Sequence, residues 1–324
     1  MILNTLQSRL PTYGHRSIQG PRSIKKVDEP VYGLLKSLDD STVRFISGVD
    51  GRNFAQTNAG IGANEFHNRV AGFITDCRGE KAEFRGGSFH RLLGPDVVRI
   101  YNRNQDVYKA EAKYPRRFEL VRDYLPKKGT MLDWGLGDGG FARFVQDRTE
   151  LKVAGCDVID WRSETAKQIP FYRLDSHLSV LPNCKDEQFD TVVLMYVLHH
   201  IDPQDLPQVL EEVMRVCRRN VIIVEDIFGV EKTDAINLCP ISREFAALPH
   251  DSQLQVIKMR DYLRNIVMFG IEDMNMPFEF QPIDQWHGIF YKQGWKIADT
   301  KVVGFNSADS WCNTSFNAVF NLKK

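Results

Sequence analysis

The pattern of hydrophobic and polar positions changes near residue 111. Beyond that point, short apolar runs alternate with longer stretches in which apolar residues recur at helical spacing. The run at 191–198, Thr-Val-Val-Leu-Met-Tyr-Val-Leu, is almost wholly apolar, which is typical of a strand buried on both faces. A stretch at 206–217 follows with the periodicity of an amphipathic helix. This alternation predicts a parallel sheet covered on both faces by helices.

The same pattern predicts the individual elements of this region. The expected strands cover residues 130–134, 151–158, 171–174, 191–198, 221–224, 295–303 and 317–321. The expected helices cover residues 112–124, 141–146, 206–217 and 286–294. The predicted fold class is therefore α/β, with a doubly wound sheet.

The first 110 residues show no such alternation. Residues 1–28 form a basic segment whose first 27 residues contain no acid, the charge bias of an organelle transit peptide. Because proline and glycine interrupt any amphipathic helix there, we predict a flexible arm instead. Residues 29–110 are rich in glycine and polar turns, with a predicted helix at about 30–38 and predicted strands at 43–46 and 97–101. We expect this segment to be an accessory, lid or dimerisation element.

Composition and charge narrow the classes of function. The 324 residues are 43% hydrophobic and 26% charged, as in ordinary globular proteins. Lysine plus arginine equals aspartate plus glutamate, at 42 each, so no net field attracts nucleic acid or an anionic membrane. No apolar run is long enough to cross a bilayer. We therefore expect a cytoplasmic protein that acts on a small molecule, without nucleic-acid or membrane partners.

The six cysteines are scattered along the chain, without a C-x-x-C pair and without a histidine at ligand spacing. This distribution indicates reduced thiols rather than a disulfide framework or a structural zinc site. The sequence accordingly predicts no metal.

A glycine-rich run at 132–140 is the most informative motif of the chain. It reads Leu-Asp-Trp-Gly-Leu-Gly-Asp-Gly-Gly between a predicted strand and a predicted helix, where glycines let the backbone turn sharply and approach a ligand. The glycines at 135, 137 and 140 fit G-x-G-x-x-G, and Asp157 lies 22 residues after Gly135, as the ribose-binding acid of a dinucleotide fold would. The run equally fits a second pattern, in which an acid is followed by three glycines at alternate positions. The acid is Asp133, and the glycines are Gly135, Gly137 and Gly139.

The second pattern resembles motif I of the class I S-adenosylmethionine-dependent methyltransferases, and in particular their type 11-like members. Later segments are similar to the same family in the same order, namely 171–175, 181–182, 186–190, 192–200, 212, 215–216 and 221–226. One departure is Arg218-Arg219-Asn220, which takes the place of the family's Pro-Gly turn before the fifth strand. The resemblance covers about residues 111–324. It implies the Rossmann-like methyltransferase fold, with a mostly parallel seven-stranded sheet and a lid-like insertion at 227–280.

The resemblance implies a site for S-adenosyl-L-methionine at the strand ends. Asp157 would accept hydrogen bonds from both ribose hydroxyls, with Asp160 as the alternative. Asp175 would receive the adenine amino group, and Ser176 or His177 would provide a backbone amide beside it.

The amino-acid end of the cofactor involves two further expected contacts, in addition to the glycines at 135, 137 and 139. Asp133 would lie below the loop, near the cofactor's ammonium group, or would cap the loop's own amides. Tyr196 would lie beside the methionine moiety, or would simply belong to the core.

Catalysis of methyl transfer depends mainly on alignment and on exclusion of water, because the reaction is an in-line displacement from a sulfonium. A general base is needed only where the acceptor must lose a proton. His199 and His200 are the catalytic candidates, because histidine titrates near neutrality. The alternative is that they shape the loop or contact the cofactor. Glu225 and Asp226 end the fifth strand at the ligand-binding edge, and they are further candidates to face the acceptor.

The expected acceptor is a small, partly apolar organic metabolite, methylated at oxygen, nitrogen or carbon. No Asn-Pro-Pro-Tyr-like motif follows the fourth strand, which disfavours methylation of nucleic-acid bases. Methionines and phenylalanines in the insertion would line a lid or form a packing helix; they are Met259, Met268, Met274, Met276, Phe269, Phe278 and Phe280. His287 follows the insertion and faces either the pocket or solvent.

Two other classes of function stay open from the sequence. The first is a nicotinamide-dependent oxidoreductase that uses the same glycines. The second is a non-catalytic cofactor-binding subunit that acts through residues 29–110. A homodimer formed through that segment is a further expectation.

Overall fold

The computed structural model describes most of the chain from residue 113 onwards and part of the segment before it. The described residues are 33–34, 37–56, 64–65, 68–69, 72, 113–175, 180–262, 265, 276–305 and 316–324. The predicted basic arm and the predicted strand at 97–101 lie outside them. So do Ser176 and His177, and the insertion residues Met268, Phe269 and Met274.

The described part of the chain alternates strands and helices after residue 113, as the hydrophobic pattern predicts. Its helices are α1 (Asp40–Gln56), α2 (Tyr114–Val121), α3 (Gly140–Gln146), α4 (Leu206–Val216), α5 (Pro240–Ala246), α6 (His250–Tyr262) and α7 (Ile283–Lys292). Its strands are β1 (Lys128–Trp134), β2 (Glu150–Asp157), β3 (Phe171–Arg173), β4 (Phe189–Met195), β5 (Cys217–Asp226), β6 (Lys296–Val302) and β7 (Asn317–Lys323).

The seven strands form one sheet in the order β3-β2-β1-β4-β5-β7-β6. The first five strands in the chain are parallel, and β7 is antiparallel to both of its neighbours. The predicted doubly wound, mostly parallel seven-stranded sheet is thus confirmed. Because the strand order reverses between β1 and β4, a crevice opens at their carboxyl ends, where open α/β sheets bind ligands.

Helices cover both faces of the sheet, because successive strand residues point to opposite sides. In β1, for example, Met131 packs with α2 and α3, whereas Leu132 and Trp134 pack with the helices of the other face. The second face carries α1, α4, α5, α6 and α7. Both faces of β4 are fully buried, as its apolar sequence predicts.

The fifth strand begins earlier than the sequence suggests. Residues 218–220 were expected to form a turn, but β5 starts at Cys217 and includes them. The pairing of β4 with β5 explains the difference, since Asn220 lies opposite Thr191 and their side chains share a hydrogen bond of 2.8 Å. Arg218 is held in place by the Asp190 carboxylate, 3.2 Å away.

Helix α1 overturns the predicted strand at 43–46, which lies inside it. Val43, Ile46 and Val49 are buried, and their spacing of three places them along one helical face. Asp39 caps the helix by accepting a hydrogen bond from the Thr42 amide at 2.6 Å. The same carboxylate accepts a hydrogen bond of 2.6 Å from Ser252 on α6, so the cap also joins α1 to the insertion.

The described part of the insertion packs over the carboxyl ends of β4 and β5. Met259, Met276 and Phe278 are buried in the core, and the Glu279 amide donates to the carbonyl of His199 at 3.3 Å. These apolar residues therefore pack against the domain in this structure. None of the helices in the described ranges has the length and apolar character needed to cross a membrane.

Candidate cofactor and acceptor site

The glycine run forms a tight loop between β1 and α3. Its first turn is fixed by the Cys156 carbonyl on β2, which accepts hydrogen bonds of 2.9 Å from the amides of both Gly135 and Leu136. The φ angles of Gly135, Gly137 and Gly139 are +80°, +54° and +73°, in the left-handed region that glycine adopts most readily. The three glycines singled out by the methyltransferase pattern therefore carry the turn.

The open side of the loop lies at Gly137. A Cβ atom added to Gly137 would meet no heavy atom within 4 Å, whereas one added to Gly135 would lie 2.5 Å from Val197 Cγ2. The missing side chain at Gly135 is thus needed for packing. At Gly137 it leaves free space above the backbone, as close approach of a ligand requires.

Asp157 ends β2 and lies directly beside this open position, as the sequence predicts. Its Oδ2 accepts a hydrogen bond of 2.9 Å from the Gly137 amide, and its Oδ1 accepts one of 2.8 Å from the Val158 amide. Burial raises the pKa of Asp157, and these backbone hydrogen bonds oppose that shift. Asp160 is different, because its hydrogen bond with Arg162 holds the pKa of this exposed carboxyl well below its usual range.

Asp133 lies beneath the loop and is almost completely buried. Burial raises its pKa well above the ordinary value, the nearby Arg117 lowers it, and Asp157 and Asp138 raise it further. Asp138 is itself in the loop and accepts a hydrogen bond of 2.8 Å from the Tyr114 hydroxyl. The loop is therefore surrounded by carboxyl groups.

This concentration of carboxyl groups distinguishes between the two cofactors that the glycine run allows. A dinucleotide would bring an anionic pyrophosphate to the loop amides, but the Gly137 amide already donates to Asp157. S-adenosylmethionine would instead bring an ammonium and a sulfonium, which nearby carboxylates favour. The electrostatics of the loop therefore suit the methyl donor.

Tyr196 marks the point where the chain leaves β4 and enters the crevice. Its φ angle of +61° is unusual for a residue other than glycine, and such strain clusters at functional sites. Its amide donates to the Val224 carbonyl at 2.8 Å. The Arg117 guanidinium lies 5.1 Å from the centre of its ring. Asp175, after β3, is exposed at the same edge of the sheet.

The His199-His200 pair lies one short turn beyond Tyr196, and it is part of a buried polar cluster. His199 Nδ1 is 2.6 Å from Glu225 Oε2, and its Nε2 is 3.7 Å from Asp261 Oδ1. His200 Nε2 is 3.8 Å from the same Asp261 oxygen. The Phe280 ring stacks on His199 with a centroid separation of 4.5 Å.

Two carboxylates determine the charge of this cluster. Burial lowers the pKa of His199, but Glu225 and Asp261 outweigh this effect and raise the pKa well above its ordinary value. Glu225 is itself fully buried, and its Oε1 accepts hydrogen bonds from the amides of Val197 and Leu198 at 2.9 and 2.7 Å. The cluster thus favours a positive charge at His199.

The other histidine and acid candidates have structural partners. Asp226 Oδ1 accepts a hydrogen bond of 2.6 Å from Asn317 on β7. His287 belongs to α7, and its Nε2 lies 2.9 Å from the Thr300 hydroxyl on β6. Of the two acids that end β5, Glu225 is therefore the one that reaches the histidine pair.

Three residues of the site are absent from the sequence prediction. Arg117, Asp138 and Asp261 become important only through tertiary contacts. Asp138 lies inside the glycine run and could have been noticed there. Asp261 belongs to a helix 61 residues after His200, and no local pattern connects the two.

Comparison with known proteins finds a similarity to one domain family. Residues 131–220 match the family model described as a methyltransferase domain, and this match begins in β1 and ends in β5. No curated protein matches the sequence.

Solved structures similar to this chain include many methyltransferases. A Thermotoga maritima protein, named a SAM-dependent methyltransferase and possible histamine N-methyltransferase, is 18% identical, with a TM-score of 0.44 over 74% of this chain and 99% of its own. The Burkholderia thailandensis 1,6-didemethyltoxoflavin-N1-methyltransferase, with S-adenosylhomocysteine bound, is 12% identical, with a TM-score of 0.43 over 76% and 93%. An S-adenosylmethionine-dependent methyltransferase from Mesorhizobium loti is 13% identical, with a TM-score of 0.41 over 64% and 97%.

The domain match agrees with the strand order and with the glycine loop that ends β1. Residues 131–220 are therefore similar to methyltransferase domains, and the described sheet has the class I methyltransferase fold.

Proposed function

We propose that this protein is an S-adenosylmethionine-dependent methyltransferase that acts on a small, partly apolar organic acceptor bound beside His200. The observation that carries this proposal is the composition of the crevice wall after β4. A polar cluster of histidines and carboxylates lies there against apolar residues of the insertion, including Phe280. Such a combination of apolar walls and a few directed polar groups is typical of small-molecule sites.

The residues of the glycine loop and strand ends would hold the cofactor in this proposal. The Asp157 oxygens accept hydrogen bonds from the amides of Gly137 and Val158, and a carboxylate with about four lone-pair sites keeps acceptor capacity for a ribose hydroxyl. Asp133 would face the ammonium group, and Asp175 the adenine. The space above Gly137 would admit the cofactor backbone, and Tyr196 would lie beside the methionine moiety.

The histidine pair would act at the acceptor end of the transfer. His199 is almost inaccessible, whereas the His200 side chain is 12% exposed. His200 is therefore the residue that would contact the acceptor, and His199 would position it through the shared Asp261. The displacement needs the acceptor atom in line with the sulfonium–methyl bond. If the acceptor oxygen or nitrogen loses a proton, the His200 side chain would be nearby to accept it.

Incubation of the purified protein with labelled S-adenosylmethionine and a size-fractionated cell extract tests the proposal. We expect the label to enter the low-molecular-mass fraction. His200→Ala should lower that incorporation at least tenfold, since a positioned acid–base group contributes about 10²–10⁴-fold to rate. His250→Ala removes an exposed histidine outside the cluster and should leave incorporation unchanged. Label found only in RNA or protein would contradict the proposed acceptor class.

A further inference from the structure

The histidine cluster contains more donor atoms than proton transfer requires. His199, His200 and Asp261 each offer one ligand atom, and these three atoms lie within 4.8 Å of one another. The two nitrogen–oxygen distances, 3.7 and 3.8 Å, are longer than hydrogen bonds. Ligands bound to one tetrahedral ion at 2.0–2.1 Å stand about 3.4 Å apart. The two nitrogen–oxygen separations are therefore within a few tenths of an ångström of those in a tetrahedral site.

We propose that His199, His200 and Asp261 bind one divalent transition-metal ion of the zinc class. Two imidazoles and one carboxylate form a ligand set that suits zinc, and a site with three protein ligands keeps a fourth position open. Oxygen-only sites, by contrast, suit magnesium or calcium. This assignment differs from the sequence prediction of no metal, which depended on the spacing of the cysteines.

The residues around the three ligands orient them by hydrogen bonds, as residues around a bound metal ion commonly do. Ligating histidines commonly donate their other ring nitrogen to a carboxylate, which fixes the tautomer and the ring orientation. Glu225 occupies that position at His199 Nδ1, 2.6 Å away, and two backbone amides hold Glu225 in turn. The Asn265 amide donates to Asp261 Oδ1 at 2.7 Å, which orients the ligating carboxylate.

Charge and access also favour a cation at this point. His199 lies between the carboxylates of Glu225 and Asp261, so the cluster favours one positive charge, from a proton on the imidazole or from a metal ion. His200, the most accessible of the three ligands, gives an entry path from the crevice. An ion here would leave its open position for an oxygen or nitrogen of the acceptor; that last role rests on the proposed function.

Zinc binding to the full-length protein, first freed of metal by a chelator, tests the site directly. Calorimetric titration with zinc should give one equivalent per chain. His200→Ala and Asp261→Asn should each weaken binding at least tenfold, because each removes a ligand. The matched controls are His250→Ala and Asp251→Asn, a histidine and an aspartate at the exposed start of α6. Both should bind zinc like the wild type.

Cobalt substitution identifies the ligands without any activity measurement. The expected spectrum has the visible bands of a tetrahedral site with nitrogen and oxygen ligands. The proposal is wrong if no stoichiometric binding occurs, if His200→Ala and Asp261→Asn bind as the wild type does, or if the spectrum shows thiolate ligands. S-adenosylhomocysteine binding by each variant confirms that it is folded. Since the proposed ligands for that compound lie at the glycine loop, failure of the metal site and failure of the proposed function give different results.

Discussion

Replacement of Gly137 by alanine tests the cofactor loop with a single methyl group. The added Cβ would meet no protein atom within 4 Å, so it enters only the space that the cofactor is proposed to use. The Gly137 amide, which donates to Asp157, is unchanged by the substitution. Any loss of cofactor binding would therefore come from the methyl group or from backbone strain.

The cost of backbone strain can be measured separately, because Gly294 also has a positive φ angle and open space at its Cβ position. Gly137 has a φ of +54° and Gly294 a φ of +80°, and the nearest atom to a Cβ at Gly294 is 4.0 Å away. Alanine in this left-handed region costs about 1–2 kcal/mol relative to glycine. Gly137→Ala and Gly294→Ala should thus lower the free energy of unfolding by similar amounts. Gly294 lies between α7 and β6, away from the glycine loop.

The two variants should differ in their affinity for S-adenosylhomocysteine. Forcing one methyl group into an occupied space costs about 1–3 kcal/mol, which corresponds to a roughly fivefold to 150-fold weaker affinity. Calorimetric titration of the wild type and both variants, with denaturant unfolding of each, measures both quantities. Equal cofactor affinity for Gly137→Ala and Gly294→Ala would refute this placement of the cofactor.

Two further predictions concern side chains outside the cofactor loop. Asp39→Ala should destabilise α1 by about 1 kcal/mol, the usual loss for an N-cap, and should speed amide hydrogen exchange in α1 and at its contact with Ser252. Burial alone would raise the pKa of Asp39, but the hydrogen bonds from Ser252, Ser41 and Thr42 outweigh burial and lower this pKa. Acid should therefore weaken the same contact as pH falls below the ordinary aspartate range. Burial and the 2.5 Å hydrogen bond to Asp299 raise the pKa of Tyr124 to about 12. The stability from this bond should be present below pH about 10 and lost as pH rises to about 12, and Tyr124→Phe should remove that alkaline loss in unfolding measurements.

The fold after residue 113 was predictable because its signals are local. The strand pattern, the glycine run and the acid at the end of β2 all lie within about 30 residues, and their geometry follows from adjacent parallel strands. That is why Asp157 could be placed beside the loop from the sequence. The confirmed sheet depends on the same alternation of strands and helices.

The errors occurred where tertiary contacts overrule local preference. Residues 43–46 include β-branched side chains, which favour strands, but Val43, Ile46 and Val49 become one buried face of α1. Similarly, Asn220 reads as a turn residue and instead pairs with Thr191 in the sheet. In each case burial or pairing with a distant segment determines the conformation.

The chemistry of the polar cluster was not predictable for a different reason. The His199-His200 pair is visible in the sequence, but Asp261 comes from the insertion and meets it only after folding. A site built from one strand end and a distant helix has no spacing rule. The chemistry of these histidines therefore could not be assigned before the structure placed Glu225 and Asp261 on either side of His199.

The most direct test of the account is S-adenosylhomocysteine binding by Asp157→Asn, with Asp160→Asn as the matched control. Asp157 lies at the glycine loop, whereas Asp160 is paired with Arg162. Hydrogen bonds to a charged group contribute about 1.5–3 kcal/mol, so loss of the proposed ribose carboxylate should weaken binding at least tenfold. Asp160→Asn should bind like the wild type. Unchanged affinity in Asp157→Asn, or a wild-type protein that binds nicotinamide nucleotides and not S-adenosylhomocysteine, would contradict the account.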